Sequence, residues 1–147
     1  MGICGGREKN REIENIGHEE EQIVFNSECK LNLDTVIYEK FRAAIKRYGY
    51  AGDLTEKHMQ EIGHEIKCDV DEMMMNEKSV FHVVYQDPLF KSQDKRHNVK
   101  KLLRLGWLLC KHQNKDMQAV ELWHLINPEM DAYVRKNTVM EFIDTLI

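Results

Sequence analysis

The chain has 147 residues, 42% hydrophobic and 31% charged, with 2 Pro and 8 Gly, a balance that excludes a low-complexity polymer and suits one globular domain. A domain near 150 residues buries roughly 68–70% of its unfolded surface, so neither disulfides nor a structural metal is required. The 21 basic and 25 acidic residues give a formal charge of −4, too acidic and too evenly mixed for gripping a phosphate backbone, so nucleic acid is not an expected partner.

Met1-Gly2-Ile3-Cys4-Gly5-Gly6 sets a glycine at position 2 and a thiol two residues on, which suits N-myristoylation of Gly2 and palmitoylation of Cys4. Gly6 stands where the usual pattern has Ser or Thr. Arg7, Lys9 and Arg11 alternate with Glu8 and Glu12, so a polybasic anchor is weak. Because one acyl chain holds a membrane only marginally, Cys4 has to supply the second anchor. Cys4, Cys29, Cys68 and Cys110 form no C-x-x-C pair and no signal peptide precedes them, which points to a reducing, intracellular compartment. The longest clean apolar run, Leu105 to Cys110, is far short of the roughly 20 residues that span a bilayer.

Residues 7 to 22 are polar and end in Glu19-Glu20-Glu21; they read as a leader or loose helix inside a flexible segment 1–33 that contributes no core. A helical domain follows over 34–147. Asp34 stands as the N-cap of a helix whose apolar stripe is Val36, Ile37, Phe41, Ala44, Ile45 and Tyr48. Gly49 to Asp53 breaks it, and a second helix starts near Thr55 with Met59, Ile62 and Ile66 in period. Asp69 and Asp71 can open a third, containing Met73, Met74, Val80, Phe81 and Val84 and ending near Asp87-Pro88. The next helix, from Val99 to Leu109, is apolar nearly all round and is expected to be the most buried element, with Gly106 marking close packing. Ala119, Val120, Trp123 and Ile126 line another, and Val139, Phe142, Ile143, Leu146 and Ile147 the last. The fold class is therefore all-α, with one short β pairing between loops as the sole sheet.

Ile126 is followed by Asn127-Pro128-Glu129-Met130-Asp131-Ala132-Tyr133-Val134-Arg135-Lys136-Asn137-Thr138 and then a second apolar helix. Oxygen donors at positions 1, 3 and 5 (Asn127, Glu129, Asp131), a carbonyl at 7 (Tyr133) and a β-forming residue at 8 (Val134) between helices make this segment resemble an EF-hand. Over roughly 35 to 147 the chain resembles the EF-hand superfamily, specifically the myristoylated neuronal calcium sensor or recoverin-like branch and its calcineurin-B-like relatives. Tyr48 to Glu56 looks like that family's short, disabled first loop, with Leu54 as the β residue. A second loop is placed over Ser92 to Leu103, with Asp94 at position 3 and Val99 at position 8, although Arg96 and His97 stand where a ligand and a glycine belong. The resemblance thus implies an array of about three hands, the last lacking a paired fourth.

Calcium needs six to eight oxygens, a bidentate Glu at position 12 and a Gly at position 6. The third loop offers Thr138 and Ala132 there, and Arg135 adds a cation. The metal set Asn127, Glu129, Asp131, Tyr133 and Thr138 is accordingly a degenerate calcium loop, weak or empty, with no other cofactor expected. No catalytic arrangement emerges. His58 and His64, six apart, fall on different helix faces; Cys68 and Cys110 read as buried thiols rather than nucleophiles; and phosphate-cradle and nucleophile-elbow motifs are missing from the chain. Trp107 and Trp123 read as core. Met73, Met74 and Phe81 fit either core filling or a Met-rich groove, and with Val139, Phe142, Ile143 and Leu146 they form the candidate partner-binding set.

What the resemblance implies is a non-catalytic adaptor that grips a helical or extended partner segment in a larger assembly, without calcium control. Two alternatives are a calcium sensor with a myristoyl switch and a structural component of a cytoskeletal or axonemal assembly. The expected location is the cytoplasmic face of a membrane, the cytoskeleton or the cilium.

Overall fold

A computed structural model describes residues 19–50, 52–79, 81–82 and 96–144. Glu19–Leu31 forms α1, with three glutamates in its first turn and Lys30 in its last, the polarity that complements the helix dipole. It is no loose leader: Phe25 and Leu31 are buried. Its end is stitched to the domain by the Asp69 amide donating to the Leu31 carbonyl (3.1 Å) and by the Asn32 side-chain amide donating to the Lys67 carbonyl (3.3 Å). The packed region therefore begins before residue 34. The glutamate run hid an apolar face that a tertiary neighbour completes.

Asp34 does not cap a helix but lies in a short 3-10 turn, Leu33–Thr35. The β-branched pair Val36-Ile37 stays extended and forms a parallel bridge to Lys111. The Lys111 amide donates to the Val36 carbonyl and the Tyr38 amide to the Lys111 carbonyl, both at 2.9 Å. Only then does α2 start, at Tyr38–Tyr48, with Phe41, Ala44 and Ile45 buried as their spacing requires. Gly52, at φ 98°, turns the chain where a side chain would be strained. Strand β1 (Asp53–Leu54) leads into α3 (Glu56–Ile66). Thr55 caps α3, its hydroxyl accepting from the His58 amide (3.3 Å) while its own amide donates to His58 Nδ1 (3.4 Å), a capping box built with histidine.

After the single turn α4 (Asp71–Met74), strand β2 (His97–Asn98) pairs antiparallel with β1, Leu54 opposite His97 and Asp53 opposite Asn98. This is the expected short β pairing between loops, with one shift. Val99 is not the pairing residue but the first residue of α5 (Val99–Leu109), because Asn98 caps that helix by accepting from the Lys101 amide (3.1 Å). Asn114 caps α6 (Lys115–Ile126) in the same way from the Met117 amide (2.8 Å), and α7 spans Lys136–Asp144. The protein is all-α apart from this two-stranded pair. Among the described residues no helix is long and apolar enough to cross a membrane.

The core lies where α2 meets α3 and α5, around Leu31, Ile45, Leu54, Met59, Ile62 and Leu102. Gly106 is the close approach: a Cβ there would lie 2.2 Å from the Phe41 ring. α5 is not buried all round, since Leu102, Leu103 and Gly106 face inward while Leu108 is 50% exposed. The structure generates a sign prediction at Gly106. In an open helix Gly→Ala gains about 1 kcal/mol, but here Gly106→Ala is expected to lose about 1–3 kcal/mol through overpacking against Phe41, measured by urea unfolding.

Candidate functional site

The C-terminal loop is where the calcium reading can be tested against geometry. Asn127 is buried, its Oδ1 accepts from the Asp131 amide (3.1 Å), and its Nδ2 donates to the Asp131 carbonyl (2.8 Å). The position 1 side chain thus closes the loop on itself. Met130, at φ 56°, takes the left-handed turn, and Ala132 at position 6 does not. Glu129 and Asp131 are exposed, Tyr133 is 92% exposed, and Val134 lies outside any strand. Thr138 falls in the first turn of α7 and lines a neighbouring cavity. With Asn127 engaged by the loop's own backbone and the left-handed turn at position 4 instead of position 6, the segment departs from the geometry of an EF-hand calcium loop. Among the described residues no group of three or more His, Cys, Asp or Glu side chains could hold a metal ion.

The partner-binding candidates separate. Met73, Met74, Phe81 and Phe142 are buried in the isolated chain, so core filling accounts for them and they offer no open groove. Val139 is half-buried and Ile143 is 42% exposed. Trp123, read from sequence as core, is 42% exposed on α6 beside Val120 one turn away. The physical reason is that α6 buries a glutamate, not its tryptophan: Glu121 is its one buried residue. Trp107 does pack against the core, and its Nε1 donates to the Gln118 carbonyl (3.1 Å), tying α5 to α6. Gly2, Cys4, Asp94 and Leu146 lie outside the described residues.

Beside the loop, α2, α5, α6 and α7 enclose a cavity of about 280 Å³ that sequence reasoning missed. Arg42 and Lys46 come from α2 and Lys100 and Arg104 from α5, each pair four residues apart and so on one helix face. Leu103, Leu125, Ile126 and Pro128 supply apolar lining, with His124 and Thr138 beside them. The Arg104 guanidinium stacks 4.7 Å over the Phe142 ring, and burial lowers its pKa from the ordinary arginine value. At the inner end lie Glu121 and Tyr38. The tyrosine is fully buried, and its hydroxyl is buried with no hydrogen-bond partner among the described residues. Desolvation raises its pKa well above the ordinary tyrosine value, a shift partly opposed by Arg42. The visible signal was the two i, i+4 basic pairs, which look like ordinary solvated faces until the helices are brought together.

Glu121 is the single carboxylate among those cations, and His112 is its hydrogen-bond partner. The Trp107 carbonyl can only accept, so His112 Nε2 carries the proton of that 2.7 Å bond. Its Nδ1 lies 2.5 Å from Glu121 Oε2. Four basic side chains thus line the cavity against one carboxylate, and that carboxylate is engaged with His112. His112 is therefore engaged with Glu121 and Trp107 rather than serving as a base for Cys110.

Cys68 and Cys110 are buried free thiols. Desolvation, reinforced by Asp69, pushes Cys68 up to about 12, and desolvation raises Cys110 as well, with Cys68 and Glu121 contributing. Such thiols carry almost no thiolate near neutrality.

No protein-family model, curated protein or solved structure matches the chain. The fold and site define an all-α protein with two paired loops and a basic cavity.

Two predictions follow from the buried groups. His112→Ala, which strands buried Glu121 without its bonding partner, is expected to cost about 3–5 kcal/mol in denaturant unfolding, whereas His124→Ala in the cavity lining stays within about 0.5 kcal/mol. Iodoacetamide at pH 8 should leave Cys68 and Cys110 unmodified in the folded chain and alkylate both in denaturant, as read by peptide mass spectrometry.

Proposed function

We propose that this protein is a non-catalytic, EF-hand-like adaptor that binds a helical or extended segment of a protein partner, largely independently of calcium. The observation that carries this reading is the apolar surface left open at the C-terminal helix pair. Val120 and Trp123 are exposed on α6 and Met140 and Ile143 on α7, each pair three residues apart, and Leu108 is exposed on the adjoining α5. Exposed apolar clusters of this kind characterise interaction surfaces, and tryptophan is among the residues that most often dominate binding energy there.

The EF-hand-like part is supported by two loops that pair through short antiparallel strands and each run directly into a capped helix. Calcium independence is supported by the third loop, whose Asn127 side chain is turned onto the Asp131 backbone. Lipid anchoring at Gly2 and Cys4 belongs to the same proposal and rests on the motif alone; it would set the adaptor on a cytoplasmic membrane face, and without it a cytoskeletal or axonemal place is the alternative.

Capture from source cells with wild-type protein and with the Trp123→Glu/Ile143→Glu variant, in calcium and in EGTA, tests the proposal. One partner should be retained by the wild type in both buffers and bound at least about tenfold more weakly by the variant, the usual loss at a hot spot, while the variant's unfolding midpoint is unchanged. A partner set indifferent to the two substitutions would sink the adaptor reading. Calorimetry should give no calcium site in the 10⁻⁷–10⁻⁵ M range of sensors; a site in that range would favour the myristoyl-switch sensor instead. Intact mass of native protein should carry an acyl chain on Gly2.

A further inference from the structure

We propose that the cavity between α2, α5, α6 and α7 is a binding site for a small amphipathic oxyanion, a carboxylate or phosphate ester carried on a compact apolar body. Three independent features of the cavity converge on that chemistry.

The first is charge. Arg42, Lys46, Lys100 and Arg104 all line the cavity, and its one carboxylate, Glu121, is already engaged by His112. No carboxylate among the described residues forms an ion pair with Arg42, Lys46 or Lys100, although the chain as a whole is acidic. Four cations of one sign around a cavity walled by protein raise the local concentration of anions and strengthen any charge-assisted hydrogen bond made inside it.

The second is the Tyr38 hydroxyl. A hydroxyl buried away from water without a partner is disfavoured by about the strength of the bond it lacks, and most such groups in folded proteins are satisfied. Tyr38 is fully buried, its oxygen has no partner among the described residues, and it belongs to the cavity lining. An oxyanion would accept its proton. A cationic ligand would face four like charges and could offer the hydroxyl only a weaker exchange.

The third is shape. Leu103, Leu125, Ile126 and Pro128 give the cavity an apolar side that a bare hydrated ion leaves unused. A volume of about 280 Å³ corresponds to roughly nine waters at about 30 Å³ each, or a ligand on the order of ten heavy atoms. Medium-chain carboxylates and aryl phosphates have that size, and both carry the charge at one end and the apolar body at the other, as preformed ligand sites prefer.

This site is separate from the exposed residues of the proposed adaptor face, and its test does not depend on a protein partner. Calorimetry on the full chain would compare octanoate, phenyl phosphate, inorganic phosphate and octylamine. Octanoate or phenyl phosphate should bind with one-to-one stoichiometry, the tighter of the two assigning the head group as carboxylate or phosphate. Inorganic phosphate and octylamine should bind at least about tenfold more weakly, since each lacks one of the two halves of the ligand that the cavity matches. Arg42→Gln combined with Lys100→Gln should weaken the preferred ligand at least about tenfold by removing two charge-assisted contacts. Tyr38→Phe should weaken it several-fold while leaving the urea midpoint unchanged or higher, because the hydroxyl it deletes is unpaired in the free protein. That combination of lost affinity and retained stability distinguishes a ligand contact from a structural tyrosine. Binding of octylamine or inorganic phosphate as tightly as the amphipathic anions, binding of neither anion, or variants that bind like the wild type would each overturn the assignment.

Discussion

The Phe41 ring fills the space that Gly106 leaves open, and the relative placement of most other elements depends on that contact. It sets α2 against α5 at a separation no larger residue at 106 would permit. With that distance fixed, the loops ahead of α3 and α5 come close enough to exchange backbone hydrogen bonds, Leu54 opposite His97. The α5–α6 connection then passes beside residues 36–38, where Lys111 bonds to the extended backbone on both sides of Ile37. One small residue therefore sets how closely α2 and α5 can approach at this point.

The same approach of α2 to α5 creates the electrostatics. Arg42 and Lys46 on one helix, and Lys100 and Arg104 on the other, would be two unrelated solvated faces if the helices stood apart. Held together by an apolar contact on their inner sides, they line one cavity with like charge. Glu121 is the one carboxylate in that lining, and its Oε2 is held by His112, itself bonded to the Trp107 carbonyl. The result is a cavity whose sign opposes that of the whole chain. Net charge excluded a broad nucleic-acid grip, and it was silent about a local anion site.

Closure of the core is uneven along the chain. α2 and α3 each bury a full apolar stripe, whereas α6 buries a glutamate and leaves Val120 and Trp123 at the surface. α7 contributes Phe142 to the interior, with Arg104 stacked upon it, and keeps Ile143 and Met140 outside. The first loop pair satisfies its own backbone through β1 and β2, and the Asn127 loop satisfies its own through a side chain. The C-terminal helices thus keep apolar side chains at the surface, although Ile23 and Val24 of α1 are exposed as well.

The sequence by itself determined the helical class, the starts of α3 and α5 and the inward residues of α2 and α3. Those follow from local chemistry: Thr55 and Asn98 each cap the helix that follows, and apolar spacing near 3.6 selects a face. It also marked Gly106 as a close approach and Leu54 as a pairing residue. Tertiary structure alone decided the rest. It drew Glu19–Leu31 into the core, since whether a weakly periodic helix packs depends on a distant neighbour. It kept Asp34 off a cap, because Val36 and Ile37 gain more as a bridge to Lys111 than as a first helical turn. It left Trp123 outside and Glu121 inside, an inversion no hydrophobicity scale predicts, because the histidine that bonds to the acid lies nine residues away in the preceding loop. Tyr38, Arg42, Lys100 and Arg104 became a site for the same reason: a cavity is a relation between helices, and local sequence fixes each helix but not the distance between them.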